Sequence, residues 1–124
     1  MKFETLSTNQ TTPIWAGSVG DRSTLLSGGV KLDAAAFTAN AQGKKFVPSG
    51  TLIGKKLGEA VFGPAAADDD TIGFLWLDVA DAAVNNDAEV YVAGEVRVDR
   101  LPAAPAAALL TAIRGQFVLT NGNK

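Results

Sequence analysis

Apolar and polar side chains alternate along Glu89–Asp99, and this pattern constrains the fold more than any other feature of the sequence. A period of two with one polar face is typical of a half-buried antiparallel strand. Four valines share the apolar face: Val90, Val92, Val96 and Val98. The charged residues and Tyr91 share the other face. The segment therefore predicts one long strand with its valines in the core and Tyr91 on the polar side.

Glycines interrupt the chain between residues 50 and 63, at intervals too short for a long helix. They occupy positions 50, 54, 58 and 63. This spacing favours short strands joined by tight turns and bulges. Ile72–Val79 follows as a largely apolar run of strand length. It predicts a buried central strand with Trp76 in the core.

One short helix is predicted near the C-terminus. Pro102 and Pro105 precede it and Gly115 follows it, which is the usual asymmetry of helix ends. Its apolar stripe consists of Leu109, Leu110 and Ile113. Gln116–Thr120 then predicts a closing strand. The expected fold class is mainly β, made of short strands with one short C-terminal helix.

Composition divides the chain into an extended N-terminal arm over residues 1–29, a β-rich domain over 30–120 and a polar tail over 121–124. The arm is rich in Ser, Thr, Asn, Gln and Gly, and its apolar residues are isolated, so it cannot bury enough surface to fold alone. One interpretation is a disordered tail with a chance tryptophan. The other is an arm that orders on a partner, with Trp15 beside Ile14 as an anchor.

The chain has no histidine and no cysteine. It therefore lacks a histidine general base, a Ser-His-Asp triad, a thiol nucleophile and the commonest metal ligands. We expect a protein that is not an enzyme and that has no metal or cofactor.

Two segments superficially resemble ligand sites. Gly50–Lys56 resembles a phosphate-binding loop, but it has three residues between its glycines instead of four, and Lys56 stands where Ser or Thr is needed. Asp68–Asp70 lacks the alternating ligands, the glycine and the distal glutamate of a calcium loop. The first segment is interpreted as a glycine-containing strand and the second as a solvated turn.

Charge and hydropathy limit the partners. The net charge is −2 and the isoelectric point is about 4.9, with no basic stripe, so nucleic acid is not expected as a partner. The sequence has no apolar run of about 18 residues, so no membrane span is expected.

Taken in order, three segments resemble the lambda-type head-decoration (capsid cement) proteins of tailed bacteriophages. Pro48–Lys55 matches that family's Pro-Ser/Ala-Gly-Thr-X-Leu/Ile-Gly-Lys segment. Gly73–Val79 matches its glycine-apolar strand closed by Asp-Val, and Val92–Val96 matches its Val-X-Gly-X-Val strand core. The resemblance covers about Val30 to Val118.

The resemblance implies a small β-barrel or β-tulip-like domain that binds the outer surface of the expanded capsid of a virion. It implies a homotrimer that bridges and stabilises subunits of the major capsid protein, with the N-terminal arm ordering on the capsid. The arm residues expected to fill capsid pockets are Phe3, Leu6, Ile14 and Trp15.

Two other functions remain open at this point. A glycan-binding or adhesion module on a virion or cell surface would use the stacking faces of Trp15, Trp76 and Tyr91. A small hydrolase would need a pair of carboxylates with one raised pKa, and no pattern in the sequence locates such a pair.

Overall fold

A computed structural model describes residues 13–17, 24–26 and 30–120. Within these residues the strands are β1 (Thr24–Leu26), β2 (Leu52–Lys55), β3 (Gly63–Pro64), β4 (Thr71–Leu75), β5 (Val90–Arg97) and β6 (Phe117–Thr120). One α-helix, α1, spans Ala107–Ile113, and single 3-10 turns occupy Ala34–Ala36 and Val98–Arg100. The predicted fold class, mainly β with one short C-terminal helix, is confirmed.

The six strands form one sheet in the order β1-β5-β4-β2-β3. These neighbours are antiparallel, and β6 adds to β5 in parallel. β5, the strand predicted from the alternating pattern, thus pairs with three other strands: β1, β4 and β6. In the described residues the sheet is open, with β1 at one end of the main order and β3 at the other.

Both faces of the sheet are covered by apolar side chains. One buried cluster contains Ile72, Phe74 and Trp76, and a second contains Leu75. Because successive side chains of a strand point to opposite faces, the two clusters lie on opposite sides of β4. The prediction of a buried central strand over Ile72–Val79 is confirmed in part, because the strand ends at Leu75 and Leu77 is 50% exposed. The predicted core position of Trp76 is confirmed, since Trp76 is 8% exposed.

The prediction that Val90, Val92, Val96 and Val98 share one face of a strand is wrong, and Val98 lies just past the end of β5 in a 3-10 turn. Val90 and Val92 pack in the second cluster, whereas Val96 and Val98 pack in the first. The pairing of β1 with β5 skips Val92, which is a β-bulge, and Gly94 follows with a φ of 137°. A bulge inserts one extra residue and shifts the alternation, and glycine adopts this backbone angle without a steric penalty.

The placement of Tyr91 on a polar face is also wrong. The ring is fully buried, and the hydroxyl donates a hydrogen bond to the carbonyl oxygen of Glu95, at 3.1 Å. Because the bulge lies between Tyr91 and Val96, both side chains join the first cluster. The alternating pattern identified the strand correctly but gave no sign of the bulge within it.

Gly73 lies on β4 close against β5. A β-carbon at this position would lie 2.8 Å from the carbonyl oxygen of Tyr91 and closer still to a methyl group of Val90. Both obstacles belong to the centre of the sheet, where the backbone has little freedom to move. Glycine is therefore the residue that lets the two strands pair here.

Gly73→Ala should lower the free energy of unfolding by about 1–3 kcal/mol, because the added methyl overpacks the sheet. Gly115→Ala is the matched control, since nothing lies within 4 Å of a β-carbon at that position. The control should stay within about 0.5 kcal/mol of the parent protein. Urea unfolding followed by tryptophan fluorescence measures both, and equal stabilities would contradict the packing described here.

Candidate interaction surface

The described residues offer surface rather than an enclosed chemical site. Their buried core contains no polar or charged residue, and no three Asp or Glu side chains among them gather as metal ligands would. The same residues include no helix of the length and apolarity that a bilayer crossing requires. Three shallow grooves have volumes of about 300, 310 and 400 Å³. The features of these residues that a partner could contact are therefore exposed side chains and the hydrogen bonds that hold them in place.

Trp15 lies in the core of the domain, with 2% of its surface exposed. Its ring centroid is 5.3 Å from that of Phe74, 5.5 Å from Tyr91 and 5.7 Å from Trp76. The indole Nε1 donates to the Ser49 hydroxyl at 3.0 Å, and that hydroxyl donates to the carbonyl oxygen of Trp76 at 2.6 Å. The indole is thus buried with its one polar atom satisfied, as a core tryptophan requires.

The backbone around Trp15 is part of the sheet. Ala16 forms an antiparallel bridge with Val96, and the amide of Gly17 donates to the carbonyl oxygen of Glu95 at 2.9 Å. The amide of Arg97 donates to the carbonyl oxygen of Trp15 at 2.6 Å. The expected role of Trp15 as an anchor for a partner therefore needs correction, because the side chain is buried in the protein's own core.

The described part of the predicted arm belongs to the domain and also presents apolar side chains outward. Ile14, next to the buried Trp15, is 72% exposed, and on β1 Leu25 and Leu26 are 41% and 38% exposed. Of the four residues predicted to contact a capsid, only Ile14 is described as exposed. Phe3 and Leu6 lie outside the described residues, as does the tail over 121–124.

A second feature is the turn between β2 and β3, residues 55–59, called here the Leu57 turn. Leu57 is 89% exposed at its tip, and the next residue, Gly58, has a φ of 92°. The amide of Lys56 donates to a carboxylate oxygen of Glu59 at 2.9 Å, and the ammonium group of Lys55 donates to the Glu59 carbonyl oxygen at 3.0 Å. These bonds close the turn on itself.

Residues 66–70, called here the aspartate loop, contain three aspartates. Their carboxylates bind the Leu57 turn or the loop itself. Asp70 accepts a hydrogen bond from the amide of Leu57 at 2.7 Å, and Asp69 accepts one from the amide of Ala66 at 2.8 Å. The ammonium group of Lys56 lies 3.1 Å from Asp68 and 3.5 Å from Asp69. The prediction of a solvated turn is confirmed for Asp68, whose side chain is 81% exposed, and wrong for Asp69, whose side chain is 8% exposed. All three aspartates act as structural acceptors.

Gly54 is the second glycine of the segment that resembles a phosphate loop, and the structure gives it a packing role. It lies within β2, and a β-carbon there would collide with the carboxylate of Asp69. The interpretation of this segment as a glycine-containing strand is confirmed.

The stretch 78–87 forms a polar corner. Asp78 accepts from the amide of Ser49 at 2.6 Å, and Asp81 accepts from the amide of Lys45 at 3.1 Å. Val84, 83% exposed, lines a groove here together with Lys44 and three aspartates. The corner is held by the same kind of carboxylate-to-backbone bond as the Leu57 turn.

The geometry removes the basis of the glycan-binding alternative. Trp15, Trp76 and Tyr91 are 2%, 8% and 0% exposed. A sugar ring stacks on an accessible aromatic face, and these three faces are covered by other core side chains.

Comparison with known proteins adds no relative to this picture: no family model, no curated protein and no solved structure matches the chain.

Trp15→Ala should lower the free energy of unfolding by about 3–5 kcal/mol, the usual cost of removing a buried tryptophan. The adjacent exposed residue provides the control, and Ile14→Ala should change stability by no more than about 0.5 kcal/mol. Thermal and urea unfolding measure both variants. A mild effect of Trp15→Ala would show that the segment before β1 is not part of the folded domain.

Lys56→Gln should raise the pKa of the Asp68 carboxyl toward its ordinary value. The hydrogen bond from Lys56, followed by its positive charge, lowers the pKa of Asp68, and the same bond raises the pKa of Lys56. A carboxyl with a lowered pKa stabilises the fold above its ordinary pKa, and this contribution is lost as the pH falls through the lowered pKa. A carbon-13 NMR titration of the carboxyl follows this directly. Lys44→Gln is the control and should leave the Asp68 titration unchanged.

Proposed function

We propose that the protein is a phage head-decoration protein that binds the outer surface of the expanded capsid and bridges subunits of the major capsid protein. The observation that carries the proposal is the position of the N-terminal segment. Trp15 locks it into the domain core, while Ile14 and the leucines of β1 face outward. The residues before Pro13 therefore start from a fixed point on the domain surface.

The order of the strands supports the same proposal. Pro48–Lys55 contributes β2, Gly73–Val79 contributes β4, and Val92–Val96 lies within β5. The segments that resemble decoration proteins therefore form three strands that are consecutive in the sheet. Closure of this sheet into a barrel or tulip, and assembly as a homotrimer, are parts of the proposal.

The proposed mechanism is strand addition by the N-terminal arm. Ser and Thr tolerate an extended backbone, and main-chain hydrogen bonds bind a partner strand with little dependence on sequence. Phe3, Leu6 and Ile14 then fill apolar pockets on the capsid. Many weak contacts on one shell add up, so a modest affinity at each site stabilises the whole capsid. This role needs neither a catalytic group nor a cofactor.

Cosedimentation with expanded, undecorated capsids tests the proposal. At micromolar concentration the full chain should pellet with the capsids and should raise the temperature at which they rupture. Failure of the full chain to bind would refute the proposed function.

A truncation that starts at Pro13 separates the arm from the domain. It should unfold at nearly the same temperature as the full chain, because the core residue Trp15 is kept, and it should bind capsids more weakly. The cut must precede Trp15, since a longer deletion removes part of the core. Equal binding by the truncated and full chains would show that Phe3 and Leu6 are dispensable.

A further inference from the structure

Leu57 is the most exposed large apolar side chain among the described residues, at 89%. A single exposed leucine is ordinary on a protein surface. What distinguishes Leu57 is that its backbone is fixed: Asp70 binds its amide at 2.7 Å, and the preceding amide is bound by Glu59 at 2.9 Å. A side chain held in this way costs little conformational entropy when a partner takes it up.

The surroundings of Leu57 are acidic. The Leu57 turn and the aspartate loop together carry two lysines and four carboxylates. Both lysines bind inside this unit, Lys56 to Asp68 and Lys55 to the carbonyl oxygen of Glu59. The Asp68 side chain is 81% exposed. An apolar tip with a negative rim fits an apolar pocket with a positive rim, and it is repelled by anionic lipid.

Such a pocket lies on the same chain. The groove of about 400 Å³, called here the Arg114 groove, is lined by the C-terminal end of α1, by β6 and by the turn after β5. Its lining residues are Val98, Leu110, Arg114, Phe117 and Leu119. Four of the five are apolar, and the one charge is the exposed guanidinium of Arg114.

The other two grooves do not complement the Leu57 turn. One is lined by apolar and small residues of 48–52 and 102–109 and carries no charge. The other is lined by Lys44 together with three aspartates, Asp78, Asp81 and Asp87, which repel an acidic rim. Charge therefore selects the Arg114 groove.

The two complementary surfaces lie toward the same end of the sheet. Lys55, at the end of β2, pairs with Thr71, at the start of β4. The side chain of Gln116, just before β6, donates to the carbonyl oxygen of the next residue, Ile72. A contact between two different patches is head to tail, and such contacts close into a ring when the rotation between copies allows it.

We infer that the protein self-associates head to tail, with the Leu57 turn of one copy seated in the Arg114 groove of the next. Leu57 is buried against Leu110 and Leu119, and the acidic rim faces Arg114. The contact supplies the interface of the homotrimer in the proposed function, but it does not depend on capsid binding. Its test uses the protein alone, so failure here and failure to bind capsids are separate results.

Sedimentation velocity measures the association. The parent protein should form an oligomer at micromolar concentrations. Leu57→Ser should weaken self-association on the order of 10- to 100-fold, the value of burying one leucine side chain. Arg114→Glu should weaken it as well, because two acidic surfaces then face each other. Val84→Ser, at another exposed aliphatic side chain, is the control and should leave the oligomer intact.

A mixture of the Leu57→Ser and Arg114→Glu variants tests the inferred contact most directly. A Leu57→Ser copy keeps its groove and an Arg114→Glu copy keeps its leucine, so a one-to-one mixture should form a heterodimer while each variant alone stays monomeric. A parent protein that is monomeric, or a mixture that fails to associate, would overturn the inference. Unchanged thermal unfolding of both variants verifies that they are folded.

Discussion

The contact between Trp15 and the Ser49–Trp76 pair is the interaction on which the rest of the structure depends. It joins the N-terminal segment, the turn before β2 and the end of β4 through one indole and one hydroxyl. The rings of Phe74, Tyr91 and Phe117 complete the cluster around it. The chain is only 7% aromatic, and five of its rings meet here. The rest of the buried core is mainly Leu, Ile and Val, so this cluster of large rings supplies much of the apolar area that the fold buries.

The β-bulge in β5 has an effect on both layers of the core. Without it, the four valines would fill one face and leave the other face of the strand polar. The bulge and Gly94 divide them, so that Val90 serves the second cluster and Val96 the first. One strand thereby covers two apolar layers, and a chain of this length gains a core on each side of its sheet.

Some of this architecture can be predicted from the sequence and some cannot. The strands at Ile72–Val79 and Glu89–Asp99, the helix before Gly115 and the core position of Trp76 follow from local patterns of period, proline and glycine. The phase shift in β5 does not, because a bulge is set by the partner strand and not by the residues of one strand alone.

The core position of Trp15 does not follow from the sequence for a related reason. Its segment shows neither helical nor strand periodicity, and its neighbours in space include Phe74 of β4 and Tyr91 of β5. A low aromatic content was the available signal, because a chain with two tryptophans seldom leaves one outside its core. The fixed Leu57 turn does not follow from its own residues, because Asp70, which binds the amide of Leu57, lies in another loop.

The edge strand β3 has a consequence for behaviour at high concentration. An open sheet can recruit further strands through the unpaired amides and carbonyls at its margins, which is how ordered aggregates begin. Here that margin is two residues long, and one of them, Pro64, has no amide to donate. This edge therefore offers a growing fibril very few free amides and carbonyls to pair with. Crowding many copies together, as in any dense surface array, therefore gives little merging of sheets along this edge of the described residues.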